Sequence, residues 1–90
     1  MSIDLPINAM QCRAARACLD WSSRKLSSLA GFEANELRRF EAGISTPKLT
    51  KLRALRTVFE DAGVELLFEN KRGVGVRMIC DDQLTYEHDR

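Results

Sequence analysis

SRKLSSLAGFEANELRRFEA, residues 23–42, holds two short helical patterns separated by a single glycine. In the first pattern Leu26, Leu29 and Ala30 form an inner face, and Ser27 is small enough to let a second helix cross closely. Gly31, the ninth residue of the stretch, is free to take positive φ and ends the first helix. The second pattern, about residues 33–42, places Leu37, Phe40 and Glu41 on one side and Ala34, Asn35, Arg38 and Arg39 largely on the other. Leu26, Leu29, Leu37 and Phe40 are then the seam between two helices joined by a tight turn, the spacing of a helix-turn-helix.

Working outward, residues 8–19 predict a preceding helix, with Cys12, Ala15, Arg16 and Leu19 on one face. Asp20 follows where the chain must reverse, and Asp tolerates left-handed backbone. Ser22 is a good N-cap for the next helix. After Gly43 and a loop at residues 44–47, a further helix is expected over residues 48–62, with Leu49, Leu52, Leu55, Val58 and Phe59 inward and Gly63 as its stop. The period then changes from 3.6 to 2. Val64, Leu66 and Phe68 alternate with Glu65, Leu67 and Glu69, residues 70–75 read as a turn, and Val76, Met78 and Cys80 alternate again. A lone two-stranded hairpin is marginal in water, so it should pack on the helices or on a second subunit.

The expected fold is mainly α: four to five helices with a C-terminal β-hairpin. The domain plan is an N-terminal arm at 1–7, a helical domain at 8–63, the hairpin at 64–80 and an acidic, disordered tail at 81–90.

Ninety residues make one domain of modest core. No signal peptide and no membrane span are expected, because no apolar run approaches the roughly 20 residues that a span needs. Cys12, Cys18 and Cys80 are odd in number and form no CxxC pair, which speaks for reduced thiols in a cytoplasm rather than a disulfide or zinc framework. His88 is the single histidine, and no carboxylate pair has a companion nucleophile. No enzyme, metal or cofactor is expected. The net charge of +1 hides an asymmetry: residues 8–60 carry ten Lys/Arg against five Asp/Glu, and the remainder four against eight. A basic front and an acidic tail suit a nucleic-acid reader. The spacing of residues 23–42 would lay one short helix across a DNA backbone and project the next into the major groove.

The wider pattern resembles the Cro/lambda-repressor family, the XRE-type regulators of bacteria and phages. The resemblance covers residues 8–63 and rests on Arg16, Leu19, Trp21, Ser22, Leu26, Gly31, Leu37, Arg39, Phe40, the run Glu41-Ala42-Gly43, and Pro47. It implies a phage-repressor-like DNA-binding domain. Ala34, Asn35 and Arg39, with Arg38 beside them, match base-contacting positions. Asn pairs bidentately with adenine, Arg with guanine, and Ala can touch a thymine methyl. Ser22, Ser23, Arg24, Ser45 and Lys48 match positions that hold phosphates. Arg16 and Glu41 match a partly buried ion pair between the first helix and the end of the third.

The chain departs from the pattern at Ser23, where the family usually has Gln, and at Glu33 and Glu36, where it prefers Ser or Thr. Glu33 can accept a bond from cytosine N4, but two carboxylates near phosphates also suit a fold turned toward protein binding. The expected function is double-stranded DNA binding by a homodimer on a two-fold symmetric operator, as a repressor. The alternative is a protein-interaction module, anti-activator or antitoxin-like, with a protein partner such as a toxin or activator. Leu67 and Ile79 are the expected dimerisation residues, as an outward apolar pair on the hairpin; the other route is dimerisation through the last helix.

Overall fold

In the computed structural model, which describes residues 5–79, four helices precede one antiparallel hairpin. The order is α1 (Ala9–Leu19), α2 (Ser23–Ala30), α3 (Ala34–Glu41), α4 (Leu49–Asp61), β1 (Val64–Glu69) and β2 (Arg72–Met78). The mainly helical architecture and the C-terminal hairpin are those the sequence predicts, with four helices among the described residues. Cys80, the tail at 81–90 with His88, and residues 1–4 of the expected arm lie outside the described residues.

Local chemistry sets the helix ends. Asp20 takes the left-handed conformation after α1 (φ 58°, ψ 40°). The Ser22 hydroxyl accepts from the Lys25 amide at 3.0 Å, which satisfies one of the unpaired donors of α2. Gly31 closes α2 at φ 77°, where a side chain would be strained. The core then gathers one stripe from each helix and from β1: Cys12 and Ala15 of α1, Leu26 of α2, Leu37 and Phe40 of α3, Leu52, Leu55 and Phe59 of α4, and Val64 and Leu66 of β1, with Val76 of β2 packed against it. Each large side chain so buried stabilises the fold by about 1.5–3 kcal/mol relative to exposure. Trp21 stacks on Phe59, with ring centroids 6.1 Å apart, and ties the α1–α2 link to α4.

The hairpin is welded to α1 by polar groups. Asn8 and Gln11 form a capping box: Asn8 Oδ1 accepts from the Gln11 amide at 2.8 Å, and the Asn8 amide donates to Gln11 Oε1 at 3.1 Å. The fully buried Gln11 side chain then donates from Nε2 to the carbonyls of Leu67 (2.9 Å) and Gly75 (3.1 Å), one on each strand. Asn8 Nδ2 donates to the Gly73 carbonyl at 3.1 Å. This approach requires glycine at 73, since a Cβ there would stand 2.3 Å from Gln11 Oε1.

Several sequence expectations are corrected. Leu29 was expected in the seam but is 50% exposed; Phe32, just past the Gly31 turn, is buried instead and caps that end of the core. Leu49 was expected inward but is 47% exposed, and the apolar stripe of α4 starts one turn later at Leu52. The turn is not residues 70–75. It is Asn70-Lys71, both at positive φ (53° and 67°), a primed turn that matches strand twist. β2 begins at Arg72, and a bulge at Leu67/Phe68 shifts the register so that Phe68 pairs with Gly73 and Val74 is left over. Met78, which shares the alternation of Val76 in the sequence, is exposed at the sheet's end.

Leu67 and Ile79 are not a contiguous apolar pair. Glu65 pairs with Arg77 between them and carries an ion pair at 2.6 Å. The four-residue offset along the strand separates the two apolar side chains by roughly 13 Å.

Candidate nucleic-acid interface

The solvent side of α3 is cationic because its apolar stripe is narrow. Leu37, Phe40 and Glu41 turn inward, which leaves Ala34, Asn35, Arg38 and Arg39 exposed on the opposite face. Arg38 Nη2 donates to Asn35 Oδ1 at 3.0 Å, one helical turn apart. That bond uses one lone pair of the amide oxygen and leaves the second lone pair and both amide hydrogens for a ligand.

Two surface concavities meet at this face. The first, about 380 Å³, lies at the N-terminus of α2 and is lined by Ser22, Ser23, Arg24, Ala34 and Arg38. Unpaired backbone N–H groups at a helix start, with two guanidinium groups beside them, form an anion-binding environment. The second, about 550 Å³ and wide open, runs between α1 and the far end of α3; Arg13, Arg16, Ser23, Asn35, Arg38 and Arg39 line it with Glu41, Ala42 and Ile44. Ser23 and Arg38 belong to both, so the α2 start and the α3 face form one continuous surface.

Other expected site residues stand apart from it. Glu33 precedes α3 as its N-cap, is exposed and makes no side-chain cap bond. Ser45 lines a separate depression of about 270 Å³ with Pro6, Ile7 and Thr46. Lys48 is exposed at the start of α4. Glu36 lines neither cationic concavity. Its carboxylate meets Lys51 Nζ of α4 at 2.7 Å, while that ammonium also lies 4.9 Å from the Phe32 ring centroid. Glu36 is therefore part of an α3–α4 tie.

Behind the surface, Arg16 and Glu41 are joined by two bonds: Nε to Oε2 at 2.9 Å and Nη2 to Oε1 at 2.8 Å. The Glu41 side chain is 8% exposed and that of Arg16 23%. Hydrogen bonding to Glu41 raises the Arg16 guanidinium above its ordinary value, and burial opposes this. Arg16 Nη1 also donates to the Trp21 carbonyl at 3.0 Å. Burial, and then the Glu41 carboxylate that its thiol faces at 3.1 Å, push Cys12 well up, so the thiol stays neutral. Arg13 Nη1 donates to the Glu41 carbonyl.

The sequence pattern alone assigns no role to Arg13, Ile44 or Lys51. Arg13 was open to detection, since it sits one turn before Arg16 on α1. The other two depend on where the α3–α4 loop and α4 come to rest. No group of three His, Cys, Asp or Glu that could hold a metal occurs among the described residues, and no helix among them is long and apolar enough to cross a membrane. No family model matches the chain, and no curated protein matches it.

Proposed function

We propose that this chain binds double-stranded DNA sequence-specifically as a small transcriptional regulator of the Cro/lambda-repressor type, a repressor acting as a homodimer on a two-fold symmetric operator. The observation that carries the reading is the continuous surface on which the Ser22-capped start of α2 adjoins the exposed Asn35, Arg38 and Arg39 of α3. In this reading α3 enters the major groove and α2 lies across the backbone. Arg39 pairs with a guanine edge, Asn35 with adenine, and Ala34 meets a thymine methyl, each good bidentate contact discriminating by about 1–3 kcal/mol. Ser22, Ser23 and Arg24 hold one phosphate run, and Ser45 and Lys48 at the α3–α4 loop hold another. One such helix reads few base pairs. A second copy, joined through the outer hairpin face with Leu67 and Ile79, would supply the other half-site about 34 Å away.

A gel shift tests the proposal: the chain against the DNA upstream of its own coding sequence and against a scrambled duplex, at about 50 and 200 mM salt. The upstream duplex should be retained at both and the scrambled one only at the lower. Loss of both at low salt would overturn DNA binding. That result would favour the second reading, a protein-interaction module. It is supported by the half-exposed Leu29, which lines a depression of about 280 Å³ with Trp21, Val58 and Ala62.

A further inference from the structure

We infer that Arg13, on α1 and outside the helix-turn-helix, is a phosphate-binding residue, and that the concavity between α1 and the C-terminal end of α3 seats a backbone phosphate of the duplex. The inference rests on the DNA-binding reading above and extends its footprint to a third helix.

The contrast between two arginines one turn apart carries it. Arg16 is committed inside the protein: Nε, Nη1 and Nη2 all donate to Glu41 or Trp21. Arg13 is exposed on the rim of the same concavity, and its hydrogen bond goes to the Glu41 carbonyl. Glu41 is the last residue of α3, so that carbonyl has no partner within the helix, and Arg13 supplies one. A guanidinium has five N–H donors in a rigid fork. Holding one nitrogen on the end of α3 fixes the fork beside Arg38 and Arg39 and leaves its other donors for a ligand.

Charge points the same way. The lining has four arginines and a single carboxylate, that of Glu41, which Arg16 neutralises. The other three guanidinium groups, those of Arg13, Arg38 and Arg39, are exposed and make no ion pair with a lining carboxylate, a field that favours an anion. With α3 in the major groove, a residue of α1 beside the end of α3 meets the strand that borders the groove. A backbone phosphate is the anion placed there whatever the base sequence.

The test uses the full chain and a labelled random-sequence duplex, with anisotropy titrations over a range of salt. Arg13→Gln keeps an N–H donor for the Glu41 carbonyl and removes the charge. It should weaken binding at low salt and make the slope of log affinity against log salt shallower by about 0.9, one phosphate contact. Arg13→Lys should restore the slope. A melting curve for each variant separates this from a purely structural tie. If Arg13→Gln leaves the slope unchanged while Arg38→Ala reduces it, the phosphate assignment is overturned and DNA binding stands. If the parent itself fails to bind the duplex at low salt, both fall together.

Discussion

Glu41 is the residue on which the interface is hung. Its carboxylate takes two bonds from Arg16 and faces the Cys12 thiol, and its carbonyl takes one from Arg13. Glu41→Leu should cost about 3 kcal/mol, because it strands a guanidinium on an inward face. The Arg16→Met/Glu41→Leu double variant should cost clearly less than the two single changes added together. A double-mutant cycle from urea unfolding reads the coupling, and a value near zero would contradict the pairing. Cys12 gives this cluster a pH signature. Its folded value is raised, so its contribution is fully present well below pH 9, the ordinary value at which the unfolded thiol is half ionised. It is lost as pH rises toward the folded value, with a slope reaching about 1.4 kcal/mol per pH unit. The stability gap between the parent and Cys12→Ala should therefore narrow above pH 9, and a gap that holds constant to pH 10.5 would count against a neutral buried thiol.

Elements differ in how plainly the sequence announces them. α2 and α3 were legible because Ser22, Gly31 and Gly43 act locally, and the outward face of Asn35, Arg38 and Arg39 follows from a period of 3.6. The burial of Phe32 in place of Leu29 was not, since it depends on the path of the chain after the turn. Gln11 was invisible for a stronger reason: its partners lie 56 and 64 residues away, and nothing in a glutamine's neighbourhood foretells a fully buried amide. The hairpin turn was misplaced because Gly73 and Gly75 look like turn residues. They are strand residues, and the glycine at 73 admits the side chains of α1. Two substitutions separate these roles. Gly73→Ala should destabilise by about 1–3 kcal/mol through overpacking against Gln11 and Asn8. Lys71→Gly should stabilise by about 0.5–1 kcal/mol, as relief of a left-handed lysine exceeds the entropy cost of glycine. Melting temperatures moving in the same direction would contradict this division.

At the scale of the whole molecule, the hairpin serves the monomer before any dimer. It contributes Val64 and Leu66 to the core and holds the start of α1, so cutting it away would remove the fold along with any interface. The assembly proposal is better probed by Leu67→Glu and Ile79→Glu in the full chain. Each should halve the mass seen by analytical ultracentrifugation while leaving helical circular dichroism unchanged. A dimer as tight as the parent's would move the interface to another face. The front of the chain carries the positive charge, and the exposed Arg13, Arg24, Arg38 and Arg39 line the concavities where α1, α2 and α3 meet. Selection from a random duplex library, run with the parent and with Arg39→Ala, tests the central claim most directly. The account predicts an enriched inverted repeat with half-sites about one helical turn apart. For Arg39→Ala it predicts the same repeat with one base position per half-site relaxed and binding weaker by about 1–3 kcal/mol. A library that shows no enrichment with the parent, or a motif that Arg39→Ala leaves untouched, would contradict it.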